Sequence, residues 1–138
     1  TDGVHAKLAY HICFGNRFGH ARFKRDYQEY FPGVLDANAD QFVLEFANRE
    51  MAEIEMWKEW KDDRELGIGL IDVKSFYPET PSDIAKRIRT ALKFVRVEKA
   101  YINPDCGFGW SPRYIANAKL KAMVDGTKLV RDELNAFK

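Results

Sequence analysis

The stretch AYHICFGN places His11 and Cys13 two residues apart near the end of an apolar, strand-like run. Side chains two apart on a strand point to the same face, so this pair can face one centre. Imidazole nitrogen and thiolate sulfur are both zinc ligands. The chain has two cysteines, and the second, Cys106, also follows an apolar run. These residue types therefore raise the possibility of a zinc site.

Each of these residues also has an interpretation without metal. A lone cysteine is most often a small buried hydrophobe, and a histidine in a strand is more often a hydrogen-bonded core residue than a ligand. Glu45 is harder to explain, because a carboxylate inside the apolar run FVLEFA is costly unless it is paired, hydrogen-bonded or bound to metal. An ion pair with a neighbouring lysine is the alternative for Glu45, and both interpretations stay open.

Strand-like and helix-like segments alternate along the chain and would position these residues. The predicted strands are the apolar runs AKLAYHICF, DQFVLEFA, IGLIDVKSF and KAYINP. Helices are predicted within FKRDYQEYF, over residues 49–66, around IAKRIRTALKFV with Thr80 or Ser82 as its cap, and over residues 112–137. The apolar side of the last helix is assigned to Ile115, Leu120, Met123, Val124 and Leu129. This order predicts an α/β fold, a (β/α)4 unit with parallel strands and right-handed crossovers.

In such folds, ligand-binding and catalytic groups gather at the carboxyl ends of the strands. The four predicted ends carry, in chain order, His11 with Cys13, Glu45, Asp72 with Lys74, and Asp105 with Cys106. A donor set of one nitrogen, two sulfurs and one oxygen suits zinc better than magnesium or calcium. The positions alone therefore favour zinc as the cofactor.

The composition limits the classes of binding partner and indicates the cellular compartment. The chain has 138 residues, enough for one domain with a core, and 22 basic against 21 acidic residues give a net charge of +1. This balance argues against a phosphate-neutralising nucleic-acid surface. No apolar run approaches the roughly 20 residues that span a bilayer. A domain of this size does not need a disulfide, so we expect a reducing, cytoplasmic setting without nucleic-acid or membrane partners.

At its strand ends the sequence resembles the carboxyl-terminal catalytic domain of cobalamin-independent methionine synthase and its relatives. The resemblance rests on HICFGN, FVLEFANRE, GIGLIDVKSF, PETPSDIAKRI and INPDCGFG, of which Asn-Pro-Asp-Cys-Gly is the most specific, and it covers nearly the whole chain. It implies a zinc ion held by His11, Cys13, Glu45 and Cys106. It also implies transfer of an alkyl group to a zinc-bound thiol, with a small-molecule thiol and an alkyl donor as substrates.

Two departures from methionine synthase make the sequence look closer to short relatives such as the epoxyalkane–coenzyme M transferases. Asp72-Val73-Lys74 stands where methionine synthase has Asp-x-His, and GFGWSPRY follows the last cysteine. The resemblance assigns catalytic roles to Asp72 and Lys74, and substrate binding to Asp105 and Arg113. Lys74 and Arg113 would supply positive charge to a developing alkoxide or to an anionic substrate tail.

The resemblance also implies that residues 1–138 form a single domain, the carboxyl-terminal half of a TIM-type barrel. A complete barrel has eight strands and typically about 250 residues. An exposed strand edge can pair with the backbone of another chain unless it is covered. We therefore expect either a fragment that pairs with a missing amino-terminal half-barrel or a self-associating half-barrel. The alternative function is a zinc-stabilised half-barrel fragment or interaction module without turnover of its own.

Overall fold

Four parallel strands form one sheet in chain order. The computed structural model describes residues 3, 5–24, 26–60 and 63–136. The strands are β1 (Ala9–Ile12), β2 (Gln41–Glu45), β3 (Glu65–Ile71) and β4 (Ala100–Pro104), ordered β1-β2-β3-β4 in the sheet. Each neighbouring pair is parallel. The predicted α/β class with parallel strands is confirmed.

The helices are α1 (Met56–Glu59), α2 (Pro81–Ala91) and α3 (Arg113–Ala136), with 3-10 turns at Gly33–Asp36, Ala47–Arg49 and Val97–Lys99. The described residues of FKRDYQEYF form turns rather than the predicted helix, and Arg25 of this stretch lies outside the described residues. No helix in the described part of the chain combines the length and apolar character that a membrane crossing requires.

The helix predicted over residues 49–66 is wrong in its extent for the described residues of this stretch, which leave out 61 and 62. Glu50, Met51 and Glu53 have φ angles of 51°, 66° and 67°, which a right-handed helix does not contain. Met51, Ile54 and Trp57, whose spacing favours a helix, are nevertheless buried in the core. The apolar side chains whose spacing resembles that of a helix are therefore buried from turns. Regular helix is limited to α1.

Helix α2 begins with a capping box. The Asp83 N–H donates to Thr80 Oγ1 at 3.2 Å, and the Thr80 N–H donates to Asp83 Oδ2 at 2.8 Å. Pro81 occupies the first turn, where its missing N–H costs nothing. The predicted Thr80 cap is therefore present, and it fixes where the loop after β3 ends.

The buried side of α3 is not the predicted one. Its buried residues are Lys119, Ala122, Gly126 and Val130, whereas the predicted Leu120, Val124 and Leu129 are 38%, 63% and 46% exposed. A Cβ at Gly126 would lie 2.6 Å from the Pro81 carbonyl oxygen and 2.6 Å from Ile84 Cβ. The side of α3 that contains Gly126 therefore packs against α2, because a larger side chain at this position would prevent the close approach. The larger apolar side chains of α3 stay exposed.

The sheet curls so that its two outer strands converge at their carboxyl ends. In a flat sheet, β1 and β4 would be separated by three strand spacings, about 14 Å. Cys13 and Cys106 lie just beyond the ends of these two strands, yet their Sγ atoms are 3.2 Å apart. The loops that follow also meet, since the Phe18 and Trp110 ring centroids are 4.3 Å apart. Curling therefore brings together residues that are distant along the chain.

Candidate metal centre

Three side chains with metal-binding atoms form a compact cluster at the converging strand ends. The ligand atoms of His11, Cys13 and Cys106 all lie within 4.8 Å of one another. His11 belongs to β1, Cys13 directly follows it, and Cys106 follows β4. Three of the four predicted ligands are therefore adjacent, and they offer one nitrogen and two sulfurs.

The His11 ring is oriented by the neighbouring strand. Its Nδ1 lies 2.9 Å from the carbonyl oxygen of Val43, its register partner on β2. A carbonyl oxygen only accepts, so Nδ1 carries the proton and Nε2 keeps a free lone pair. Metal-binding histidines are commonly oriented in this way by a carbonyl at the second ring nitrogen. The tautomer that the backbone selects is thus the one a metal ligand needs.

Glu45, the fourth predicted ligand, ends β2 and is fully buried. The Lys74 ammonium donates to its two oxygens at 2.9 and 3.0 Å, and Cys13 Sγ donates to Oε1 at 3.2 Å. The lysine ion pair that the sequence left as an alternative is therefore present. Glu45 contacts the cluster through Cys13, and its role as a ligand stays a prediction.

Tyr27 fixes the end of β2 and was not among the predicted site residues. Its hydroxyl accepts from the Glu45 N–H at 2.7 Å and donates to the Glu45 carbonyl at 2.9 Å. Burial raises the pKa of the Tyr27 hydroxyl far above its usual range, so it stays protonated and can donate. No local pattern marks this tyrosine, because it lies in a turn region far from Glu45 in sequence.

The surroundings of Cys13 disfavour its thiolate form. Burial, together with hydrogen bonds to Cys106 and Glu45, raises the pKa of the Cys13 thiol to about 12, while the Gly15 N–H acts in the opposite direction. Two close sulfurs and a buried carboxylate disfavour another negative charge unless a cation is present. A cation bound between the two sulfurs would remove this penalty.

Asp105 is also fully buried, and its oxygens accept four hydrogen bonds. The N–H groups of Phe46, Ala47 and Asn48 donate at 3.0, 2.9 and 2.9 Å, and Asn48 Nδ2 donates at 3.0 Å. Burial raises the pKa of the Asp105 carboxyl to about 7, and the backbone donors oppose the rise. These contacts bind the carboxylate to the turn at residues 46–48. The predicted role of Asp105 in substrate binding stays a prediction.

The predicted catalytic residues Asp72 and Lys74 lie in the loop after β3 and line a cavity. Asp72 Oδ1 accepts from the Lys74 N–H at 2.8 Å, which orients the lysine backbone. The cavity measures about 520 Å³ and is lined by Gly19, His20, Ala21, Phe23, Lys24, Asn48, Asp72, Lys74 and Ser75. Because Lys74 also pairs with Glu45, this cavity adjoins the candidate metal centre.

Gly19 and Arg113 differ in their relation to this cavity. Gly19, at φ 78°, brings the loop after β1 so close to Lys74 that a Cβ would lie 2.8 Å from the Lys74 carbonyl oxygen. Arg113, predicted to bind substrate, is exposed at the first residue of α3 and is not among the residues that line this cavity.

Lys119 holds the loop that carries Asp72 and Lys74. Its ammonium is buried and donates to the carbonyls of Asp72 and Tyr77 at 3.0 and 2.7 Å and to Glu79 Oε2 at 2.8 Å. The other Glu79 oxygen accepts from the Asp72 N–H at 2.8 Å. Lys119 was not among the predicted site residues, although its helical spacing from Ala122, Gly126 and Val130 is a signal for the buried side of α3.

The fold and the site together define a class of protein. It is an α/β protein with parallel strands, whose carboxyl ends carry a candidate metal centre made of a His-x-Cys pair and a second cysteine. The family model for the catalytic domain of cobalamin-independent synthases matches residues 5–129. The chain belongs to this family.

Similar proteins agree with this assignment. A methionine synthase of Sulfurisphaera tokodaii is 36% identical over 132 residues, which cover 96% of this chain and 36% of that protein. A methionine synthase of Saccharolobus solfataricus is 40% identical over 136 residues, which cover 97% of this chain and 37% of that protein. The chain thus spans a little over a third of the length of these curated relatives.

A solved structure gives the architectural comparison. The B12-independent methionine synthase from Shewanella sp. W3-18-1, in complex with selenomethionine, matches with a TM-score of 0.86 and 32% identity, covering 98% of this chain and 41% of that one. This likeness confirms the predicted fold class, an α/β half of a TIM-type barrel. The resemblance to methionine synthases is confirmed, while the closer likeness to epoxyalkane–coenzyme M transferases stays a prediction.

We predict that Lys119→Met strongly destabilises the protein. Methionine fills similar space but removes the donor to Glu79 Oε2 and to two carbonyls. Glu79 keeps its contacts with Arg87 and the Asp72 N–H, so we expect a cost of about 2–3 kcal/mol in the free energy of unfolding. Urea denaturation followed by circular dichroism measures the change. Lys121→Met, at an exposed position of the same helix, is the control and should change stability by less than about 1 kcal/mol. Equal effects of the two substitutions would contradict the role of Lys119.

Proposed function

We propose that the chain is the metal-binding part of a zinc-dependent methyltransferase that methylates the thiol of homocysteine to form methionine. The observation that carries the proposal is the cluster of His11, Cys13 and Cys106, whose ligand atoms lie within 4.8 Å of one another. Membership of the cobalamin-independent synthase family supports the reaction class. A reducing, cytoplasmic setting belongs to the proposal, because both cysteines must remain free thiols.

The residues present suit zinc. His11 Nε2, Cys13 Sγ, Cys106 Sγ and a Glu45 oxygen would hold the ion, a set of nitrogen, sulfur and oxygen donors that matches its preferences. The histidine already has the tautomer required for binding through Nε2. When bound, zinc supplies a Lewis acid that keeps an acceptor thiol deprotonated near neutral pH.

The overall reaction is an S-alkylation. The thiol sulfur forms a bond to the methyl carbon as the bond from that carbon to the donor breaks; the donor leaves with the electron pair and the thiol proton is released. In this chain, Lys74 lines the cavity and its ammonium balances the buried Glu45 carboxylate, so its proposed role is to supply positive charge beside the substrate. Asp72 orients Lys74 through the backbone. Arg113 remains a proposed contact for a polar end of the substrate, whereas Asp105, predicted for the same role, has no exposed surface with which to make one.

A methylation assay tests this proposal. Zinc-loaded protein is incubated with homocysteine and methyl iodide, a donor small enough to need no dedicated pocket, and methionine is measured by mass spectrometry. We expect about one zinc per chain and methionine formation faster than in protein-free buffer, with Cys106→Ser losing both zinc and rate enhancement. His5→Ala, at an exposed histidine outside the cluster, should retain both.

The assay also decides between the two candidate functions. Bound zinc without any acceleration of methionine formation would contradict the transferase and favour a zinc-stabilised half-barrel or interaction module. A zinc content near zero in protein purified without chelator would contradict both functions.

We further propose that the open edge at β4 pairs with an amino-terminal half-barrel. The exposed side of β4 and α3 contains a groove of about 400 Å³, lined by Ala100, Tyr101, Ile102, Met123, Val124, Thr127 and Arg131. Tyr101 and Val124 are exposed apolar side chains in this groove. The curated relatives are more than twice as long as this chain, so they have further sequence that could cover such an edge.

Without a covering half-barrel, we expect the chain to self-associate through the same edge. Light scattering after gel filtration should give at least twice the 16.0 kDa monomer mass, and Val124→Glu should shift the protein to monomer. Ala118→Glu adds the same charge at an exposed position six residues away, about 120° around the helix, and should leave the assembly intact. A stable, well-folded wild-type monomer would contradict the proposed edge.

A further inference from the structure

Asp105 links two strands that are not neighbours in the sheet. It follows β4, yet its carboxylate accepts from the N–H groups of Phe46, Ala47 and Asn48, which follow β2. Strand β3 lies between β2 and β4, so no ladder of backbone hydrogen bonds connects the two. The Asp105 side chain thus supplies a direct connection across β3.

This connection depends on Gly69 in β3. A Cβ at Gly69 would lie 2.3 Å from Asp105 Oδ1, 2.9 Å from Asp105 Cα and 2.8 Å from the Leu44 carbonyl oxygen. Distances below 3 Å leave no room for a side chain. The glycine therefore provides the space through which the carboxylate reaches the turn after β2.

Both ends of this connection adjoin predicted metal ligands. Glu45 immediately precedes the turn whose N–H groups bind Asp105, and Cys106 immediately follows Asp105. The Asn48 amide joins them further, because its Nδ2 donates to Glu45 Oε2 at 3.3 Å and to Asp105 Oδ2 at 3.0 Å. Movement of the carboxylate would shift the Glu45 and Cys106 side chains relative to each other.

We propose that Asp105 is a positioning residue that holds Glu45 and Cys106 in the arrangement required for metal before the metal binds, with Gly69 and Asn48 as its supports. This inference rests on the proposed zinc site. It gives Asp105 a role different from substrate binding, because the side chain has no exposed surface. Preorganisation raises metal affinity, since less ordering of the ligands remains to be done on binding.

Asp105→Asn tests the proposal. Asparagine has nearly the same shape, but its NH₂ group must face at least one of the N–H donors, so part of the connection is lost. We expect zinc affinity, measured by competition with a chelator, to fall about 10- to 100-fold, as for other partners of metal ligands. In the metal-free protein, amide hydrogen exchange of residues 46–48 should accelerate. Cobalt(II) bound in place of zinc should show shifted absorption bands.

Two variants complete the design. Asp125→Asn removes a carboxylate at a partly exposed position of α3 and should leave affinity, exchange and cobalt spectrum unchanged. Asn48→Ala keeps the backbone donors to Asp105 but removes the amide that contacts Glu45, and should weaken zinc binding by about 10-fold. If Asp105→Asn fails to fold, as judged by circular dichroism, Asn48→Ala decides the question.

The outcomes separate this inference from the proposed function. A wild-type protein that binds no zinc contradicts the zinc site, and with it this role of Asp105. A wild-type protein that binds zinc, together with unchanged affinity in the folded variants, contradicts the positioning role alone. Faster exchange at residues 46–48 with unchanged zinc affinity also overturns it, because the connection would then be structural only.

Discussion

Two carboxylates without exposed surface, Glu45 and Asp105, lie at the carboxyl ends of β2 and β4, and the surrounding structure compensates their charge. A buried carboxylate is costly unless it is paired and hydrogen-bonded. Glu45 has the Lys74 ammonium and Asp105 has three backbone N–H groups. The loop after β3 and the turn after β2 are therefore held in place by the need to satisfy these two groups.

The same constraint extends outward from the site to the helices. Lys74 can reach Glu45 because its loop is held by Lys119 of α3 and by Glu79. Helix α3 reaches that loop because Gly126 allows close packing against α2. Packing of the outer helices thus determines the position of a charge at the candidate metal centre. Such a chain of contacts explains why a buried lysine, rather than an apolar residue, occupies position 119.

The convergence of His11, Cys13 and Cys106 could be predicted because parallel strands present their carboxyl ends at one edge of a sheet. The roles of Asp105 and Lys119 could not, since each depends on a tertiary contact. Asp105 needs the space at Gly69, and Lys119 needs the approach of α3 to α2. The helix expected over residues 49–66 failed for a local reason, because left-handed backbone at three positions divides it into turns.

Curling of the sheet brings His11, Cys13 and Cys106 together, and we propose that they hold one zinc ion with Glu45. X-ray absorption at the zinc edge, on protein purified without chelator, measures the ligands of that ion. We expect two sulfur atoms at about 2.3 Å and two nitrogen or oxygen atoms at about 2.0–2.2 Å from zinc. A shell of nitrogen and oxygen alone would show that Cys13 and Cys106 do not hold the ion, and would contradict the proposed site.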